Sequence, residues 1–141
     1  MERLIQLVRR MGFDYAVSGD EVHVVFSSGA AKWQAAFRAG ERRVLIYSVY
    51  PFKVESGQKA VEACNRVNAA LVNSCFYYEA RSGRVVVRSI ANLTDGYYAF
   101  ELFKEAVRDH CRDVLSQWDA VFRAAAGDSH VDLNREKRCG S

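Results

Sequence analysis

Apolar side chains recur at three- and four-residue steps in three parts of the chain, and this spacing predicts three helices. The first ends at Gly12, a residue type that commonly follows the last turn of a helix. The second runs from Ser56, a favourable N-terminal cap, to Asn73. The third runs from about Asp95 to Ala126 and carries one continuous apolar stripe: Phe100, Phe103, Val107, Cys111, Val114, Trp118 and Val121.

Between these segments apolar and polar residues alternate, which predicts six strands. They cover residues 13–17, 21–27, 33–38, 43–50, 75–80 and 84–91. Short loops that contain Gly19, Gly40 and Gly83 predict hairpins between neighbouring strands. The strand over 43–50 is apolar on both sides, so we expect it to lie centrally with a covering layer on each face. Pro51 ends this strand because proline has no donor for the ladder.

The predicted order is α-β-β-β-β-α-β-β-α. Hairpins dominate the strand connections, so we expect an α+β fold with a mainly antiparallel sheet and helices packed on it. Residues 1–126 form one domain in this interpretation. Residues 127–141 lose the apolar pattern and are expected to form a flexible C-terminal tail.

Composition narrows the class of protein. No apolar run exceeds four residues, so no segment is expected to span a membrane, and Gln6, Arg9 and Arg10 interrupt any signal-peptide core. We therefore expect a cytoplasmic protein. The four cysteines show no zinc-like spacing. We predict no metal, no cofactor and no intramolecular disulfide.

Motifs for catalysis are absent from the sequence. There is no glycine-rich phosphate loop and no GxSxG, and the three histidines fall on different predicted elements. His110 stands beside Cys111, but one such pair does not make a metal site. The paired carboxylates of the last helix stand among basic residues, as on a solvated face. We predict no enzyme and name no catalytic residue.

Aromatic and basic residues come together on the last two strands. Tyr77 and Tyr78 are followed by Arg84 and Arg88, a combination that suits stacking on single-stranded nucleic acid or contact with a protein. A third interpretation is that the tyrosines pack under a helix and the arginines surround them. Together with Trp118 of the last helix, these residues are the predicted interaction surface.

Several stretches resemble the YbjN domain family. They are Val44-Leu45-Ile46-Tyr47-Ser48, then Pro51, a helix with Asn65-Arg66-Val67-Asn68, and Phe76-Tyr77-Tyr78 leading through Gly83 to Val85-Val86-Val87-Arg88. The resemblance implies a fold similar to type III secretion chaperones, which act as homodimers that bind partner proteins. It also implies a bacterial sensory-transduction regulator. It brings no catalytic residue, and we interpret Asn65, Arg66 and Asn68 as structural motif positions.

The sequence leaves two functions open. The leading hypothesis is a non-enzymatic, chaperone-like or regulatory module that forms a homodimer and binds an unidentified protein partner. The helix over 56–73 or the adjacent strands would form the dimer interface, because broad apolar stripes exceed what one sheet and three helices cover. The alternative is a regulator that contacts nucleic acid, since fifteen of the twenty basic residues are arginine.

Overall fold

A computed structural model describes residues 1–127 as a six-stranded antiparallel sheet with helices packed on it. The strands are β1 Tyr15–Ser18, β2 Glu21–Ser28, β3 Ala31–Gly40, β4 Arg43–Val49, β5 Ser74–Glu79 and β6 Arg84–Asn92. The helices are α1 Glu2–Arg10, α2 Gly57–Ala70, α3 Ala99–Ser116 and α4 Trp118–Ala125. Across the sheet the order is β1-β2-β3-β4-β6-β5, with every neighbouring pair antiparallel. The predicted fold class and element order are confirmed. Apart from Gly127, the predicted tail lies outside the described residues.

The last predicted helix is wrong in one respect, because the structure divides it into α3 and α4. Gln117 adopts φ −101° and ψ 4° between them, while its N–H still donates to the carbonyl of Asp113. The single-residue break leaves the apolar side of both helices turned towards the core. The spacing of apolar residues therefore continues across the break, which is why periodicity alone indicates one helix.

One side of the sheet and the helices enclose the core. Inward residues of the central strands are fully buried, with Phe37 and Ile46 both at 0% exposure. Trp118, at the start of α4, contacts Trp33 and Tyr50 at ring-centroid distances of 5.8 and 5.3 Å. This aromatic cluster fixes α4 against the end of the sheet and beside α2.

Strand β4 lies centrally, as predicted, but only one of its faces is covered. Its inward residues are buried, whereas Leu45, Tyr47 and Val49 on the other side are only half-buried. The expectation of a covering layer on each face is therefore wrong for residues 1–127. The apolar character on the second side reflects a sheet face rather than a second helical layer.

The outer edge of the sheet at β5 is occupied by a side chain instead of a strand. The Asn68 amide of α2 donates from Nδ2 to the carbonyl of Phe76 at 2.9 Å and accepts at Oδ1 from its N–H at 2.7 Å. β5 is an edge strand, so these two main-chain groups have no neighbouring strand to bond. Asn68 therefore joins α2 to β5 through the contacts that a further strand would make.

We expect Asn68→Leu to destabilise the fold by about 1–3 kcal/mol, because it leaves the two main-chain groups of Phe76 without partners. Urea titration measures the loss. Asn73→Leu is the matched control, since Asn73 is exposed just beyond the same helix. Equal stabilities for Asn68→Leu and the unchanged protein would contradict the assigned role.

Candidate functional site

The side of the sheet away from the helices, called the open face below, is a surface that no helix of residues 1–127 covers. Strand register sets His23, Ala36, Tyr47, Arg88 and Cys75 side by side across five strands. The neighbouring rows are Glu21, Arg38, Leu45 and Ile90 on one side, and Val25, Gln34, Val49, Val86 and Tyr77 on the other. Val25 is 53% exposed and Ile90 is 48% exposed, so apolar area faces solvent.

Three grooves cross the open face and meet at Gln34. One of about 340 Å³ is walled by Tyr47 and Tyr77 and contains Ala36 and Val86. A second, of about 720 Å³, lies at the end of β4. The third, of about 680 Å³, lies over β1 and β2. Small side chains beside large ones thus make this face uneven, and its grooves suit the side chains of another molecule.

Charge is unevenly distributed on the open face. At one end, Arg38 donates to Glu21 at 2.9 Å and lies 3.7 Å from Asp20. These carboxylates, Glu21 first through its hydrogen bond, raise the pKa of the Arg38 guanidinium. Arg84 and Arg88 of β6 form no ion pair within residues 1–127. Glu79 lies opposite Arg84 in the β5–β6 register. The β6 side of the face therefore carries two positive charges against one carboxylate.

The structure separates the predicted interaction residues into two groups. Tyr77, Arg84 and Arg88 lie together on the open face. Tyr78 turns to the opposite side and packs at the start of α2, where a Cβ on Gly57 would stand 3.0 Å from its ring. Trp118 belongs to the aromatic cluster between the helices and the sheet. Tyr77 thus lies on the outer surface, as an interaction residue would. Tyr78 packs under a helix, as the third interpretation expects.

The predicted motif positions of α2 also differ in exposure. Asn65 and Arg66 are exposed on the outer side of the helix, whereas Asn68 is half-buried against β5. Asn68 is therefore the motif residue that holds two elements together.

Burial raises the pKa of the Tyr77 hydroxyl, which is consistent with a ring that lies partly within the sheet surface.

A buried chain of polar side chains lies between the sheet and α3, and sequence reasoning missed it. Its consecutive contacts are Trp33 Nε1 to Ser48 Oγ at 2.9 Å, Ser48 Oγ to His110 Nε2 at 2.7 Å, His110 Nδ1 to Ser89 Oγ at 2.6 Å, Ser89 Oγ to Ser74 Oγ at 2.9 Å, and Ser74 Oγ to Asp113 Oδ2 at 2.8 Å. Every member is at most 7% exposed. The chain connects four neighbouring strands, β3, β4, β6 and β5, with one turn of α3.

Chemistry fixes the direction of every hydrogen bond in this chain. A carboxylate only accepts, so the Ser74 hydroxyl donates to Asp113. Each serine has one proton, so Ser89 donates to Ser74 and in turn accepts from His110 Nδ1–H. Burial lowers the pKa of His110 to about 3, so the ring is neutral at pH 7 and its Nε2 accepts.

The hydrogen-bond directions at the other end of the polar chain follow from the same count of protons. Ser48 donates to the Nε2 atom of His110 and accepts the indole N–H of Trp33. The pair has the geometry of a serine–histidine dyad, but Ser48 is 1% exposed and His110 is 0% exposed. A small groove of about 250 Å³ between β6 and α3 is lined by Ser89 and His110 but not by Ser48. We therefore assign the chain a structural role, since Ser48 offers a substrate no approach.

The sequence contains a signal for these residues. Ser48 and Ser89 occupy inward positions of their strands, where the residues two positions earlier, Ile46 and Val87, are buried apolar ones. His110 and Asp113 stand three residues apart on the inner side of α3. Polar residues at core positions on facing elements predict hydrogen bonding between those elements.

Three free cysteines, Cys64, Cys75 and Cys111, lie in the described part of the chain, and Cys75 is exposed on the open face. Within residues 1–127, no three His, Cys, Asp or Glu side chains come together as metal ligands. Burial raises the pKa of the Cys64 thiol to about 11 and that of Cys111 to about 12, so both thiols rest protonated. In the same range, no helix is long and apolar enough to cross a membrane.

The fold and the site define an antiparallel α+β domain whose sheet keeps one open face. The YbjN family profile, described as "Putative bacterial sensory transduction regulator", matches residues 1–126, and the chain belongs to this family. It is similar in structure to the E. coli protein described in "Crystal structure of YbjN, a putative transcription regulator from E. coli". That similarity has a TM-score of 0.64 at 13% identity and covers 92% of this chain and 91% of the other. No curated protein matches the sequence.

We expect the stability of the protein to fall as the pH drops below about 6.5, the pKa of an unfolded histidine. The unfolded chain then binds a proton at His110 that the folded chain excludes until about pH 3. For each unit by which the pH falls, protonation of His110 in the unfolded chain should raise the unfolding equilibrium constant by up to about tenfold. Urea unfolding at pH 7, 6, 5 and 4 measures the slope.

The non-titrating variant His110→Gln isolates this contribution. It should be less stable at pH 7, and its stability should change less with pH than that of the unchanged protein. His23→Gln is the control, because the side chain of His23 is 46% exposed on the sheet surface. The same pH slope in His110→Gln as in the unchanged protein would show that His110 is not the responsible group.

Proposed function

We propose that this chain is a non-enzymatic regulatory module that acts by binding a partner protein on its open face. The supporting observation is the uncovered side of a six-stranded sheet, where aliphatic residues, two tyrosines and arginines share one surface. Arginine and tyrosine are enriched at protein interfaces, and charged residues at the margin add selectivity. Membership of a family described as a sensory transduction regulator supports the regulatory part.

The area of the open face supports a specific interface. Six strands about 4.8 Å apart and about seven residues long at 3.4 Å per residue give a surface roughly 24 Å square. This is roughly 600 Å² on one partner, or about 1,200 Å² when both are counted, within the range of specific interfaces. The face therefore has room for a folded partner or an extended segment.

A second surface supports pairing of two copies. On the outer side of α2, Val61, Asn65 and Ala69 lie at four-residue steps and are exposed, and Phe122 of the neighbouring α4 is 50% exposed. Glu62 and Arg66 flank this strip with opposite charges. A two-fold axis can set Glu62 of one copy beside Arg66 of the other, which makes the strip complementary to itself. We propose that the homodimer forms here, so that the open face stays free.

A nucleic-acid function is the second candidate. Arg84, Arg88, Tyr47 and Tyr77 share the open face, which is the composition of a stacking platform. Both tyrosines are half-buried, and the aliphatic Val25, 53% exposed, takes a large part of the accessible area. Stacked bases need exposed aromatic faces, so we rank the protein partner first.

We expect light scattering to give about twice the chain mass of 15.9 kDa at high concentration. Val61→Glu should shift the protein to the monomer, because a two-fold axis brings the new carboxylate near its own copy. Val25→Glu, which changes the open face by the same substitution, should leave the dimer intact. Dissociation by Val25→Glu but not by Val61→Glu would move the dimer interface to the open face, and a chain mass near 16 kDa at every concentration would exclude the dimer.

We expect a photo-crosslinking residue in place of Tyr47 to join the chain to a defined protein in its host cells, because this position is central on the open face. The same residue at Arg108, exposed on α3, is the control. Mass spectrometry identifies the joined species. Equal protein adducts at both positions, or adducts of Tyr47 with nucleic acid alone, would overturn the assignment.

A further inference from the structure

Two cationic side chains line the groove at the end of β4. Lys32 comes from the start of β3 and Arg84 from the start of β6, and the groove between them holds about 720 Å³. Pairing between β3 and β4 begins at Gln34 with Val49, and pairing between β4 and β6 ends at Val49 with Val86. Beyond these pairs the chain leaves β3 but stays beside β6, because the Tyr50 N–H donates to the Val85 carbonyl at 3.0 Å and the Val54 N–H donates to the Gly83 carbonyl at 2.8 Å. The groove therefore lies between the start of β3 and this segment.

The groove has a mixed lining. Val25, Val49 and Pro51 supply apolar side chains, and Gln34 supplies a polar one. Trp33 also lines the groove but is only 3% exposed. A volume of about 720 Å³ lies in the range of binding pockets in proteins. The groove therefore combines aliphatic side chains with a cation on each side.

Positive charge outweighs negative charge at the groove. Lys32 and Arg84 form no ion pair within residues 1–127, although Glu79 lies opposite Arg84 in the β5–β6 register. At the other end of the same face, Arg38 is matched by Glu21 and Asp20. The open face is therefore balanced at the Arg38 end and positive at the Lys32–Arg84 end, which orients a charged partner.

We propose that the groove between Lys32 and Arg84 receives an aspartate or glutamate of the partner protein, with aliphatic neighbours of that residue packed on Val25, Val49 and Pro51. This proposal rests on the proposed function and names the chemistry of the partner. A carboxylate between an ammonium and a guanidinium makes charge-assisted hydrogen bonds, which are the stronger kind. A nucleic acid would place its bases on aliphatic side chains in this groove and lose the stacking that stabilises such complexes.

The test uses the full chain and a phage-displayed library of random dodecapeptides. Peptides recovered on the unchanged protein should carry an Asp or Glu next to Leu, Ile or Val. Their affinity should fall by about tenfold or more on Lys32→Glu and on Arg84→Glu, since charge reversal replaces attraction by repulsion. Lys32→Gln and Arg84→Gln give smaller losses and guard against misfolding of the reversed variants. Arg108→Glu on α3 is the matched control and should bind as the unchanged protein does.

The outcomes separate this proposal from the proposed function. If the peptides lose binding on Val25→Glu and Ile90→Glu but carry no acidic residue, the groove proposal is wrong and binding on the open face is still supported. The same conclusion follows if these peptides bind equally well to Lys32→Glu and Arg84→Glu. Peptides indifferent to every open-face variant overturn both. Competition by a dT20 oligonucleotide that is lost on Lys32→Glu assigns the groove to nucleic acid and likewise overturns the proposal.

Discussion

The structure depends on one constraint: a six-stranded sheet has two faces, and the helices of residues 1–127 cover only one. The crossover through α2 carries the chain from β4 past the place of β6 to the outer strand β5, and β6 then returns between them. This path puts α2 over β5, while α3 packs on β6 and β4. Residues on the covered side are buried, and those on the other side remain available for a partner.

On the covered side, the polar chain specifies where α3 lies. Apolar side chains tolerate a shift along the sheet, because dispersion contacts are non-directional. The His110 ring does not, since its two nitrogens need an acceptor in β6 and a donor in β4 at fixed positions. Asp113, one turn later, reaches β5 through Ser74. Three strands and one helix are thereby held in a single register that apolar packing alone would leave less well defined.

Periodicity in the sequence predicts much of this fold and little of the site. Alternation and 3.6-residue spacing report which side of an element is apolar, so the element order and the antiparallel sheet follow from them. They do not report what covers an apolar side, which is why the second face of β4 was expected to be covered. Tyr77 and Tyr78 are a different case. Neighbours in a strand face opposite ways, so alternation itself indicates that the two tyrosines do not share one surface. The buried chain contains direct contacts between residues up to 62 positions apart, such as Ser48 and His110, and only the topology brings them together.

The edges of the sheet bear on how its open face is used. An unpaired strand edge recruits other strands without selectivity, so folded proteins shorten or block such edges. Here β1 is four residues long, and Asn68 occupies the main-chain groups of Phe76 at the outer edge of β5. With both edges restricted, contacts through side chains on the face become the main route to association. Those side chains combine balanced charge at Arg38 with net positive charge at Lys32 and Arg84. Such a surface distinguishes partners by their charge pattern, which main-chain pairing at an edge cannot do.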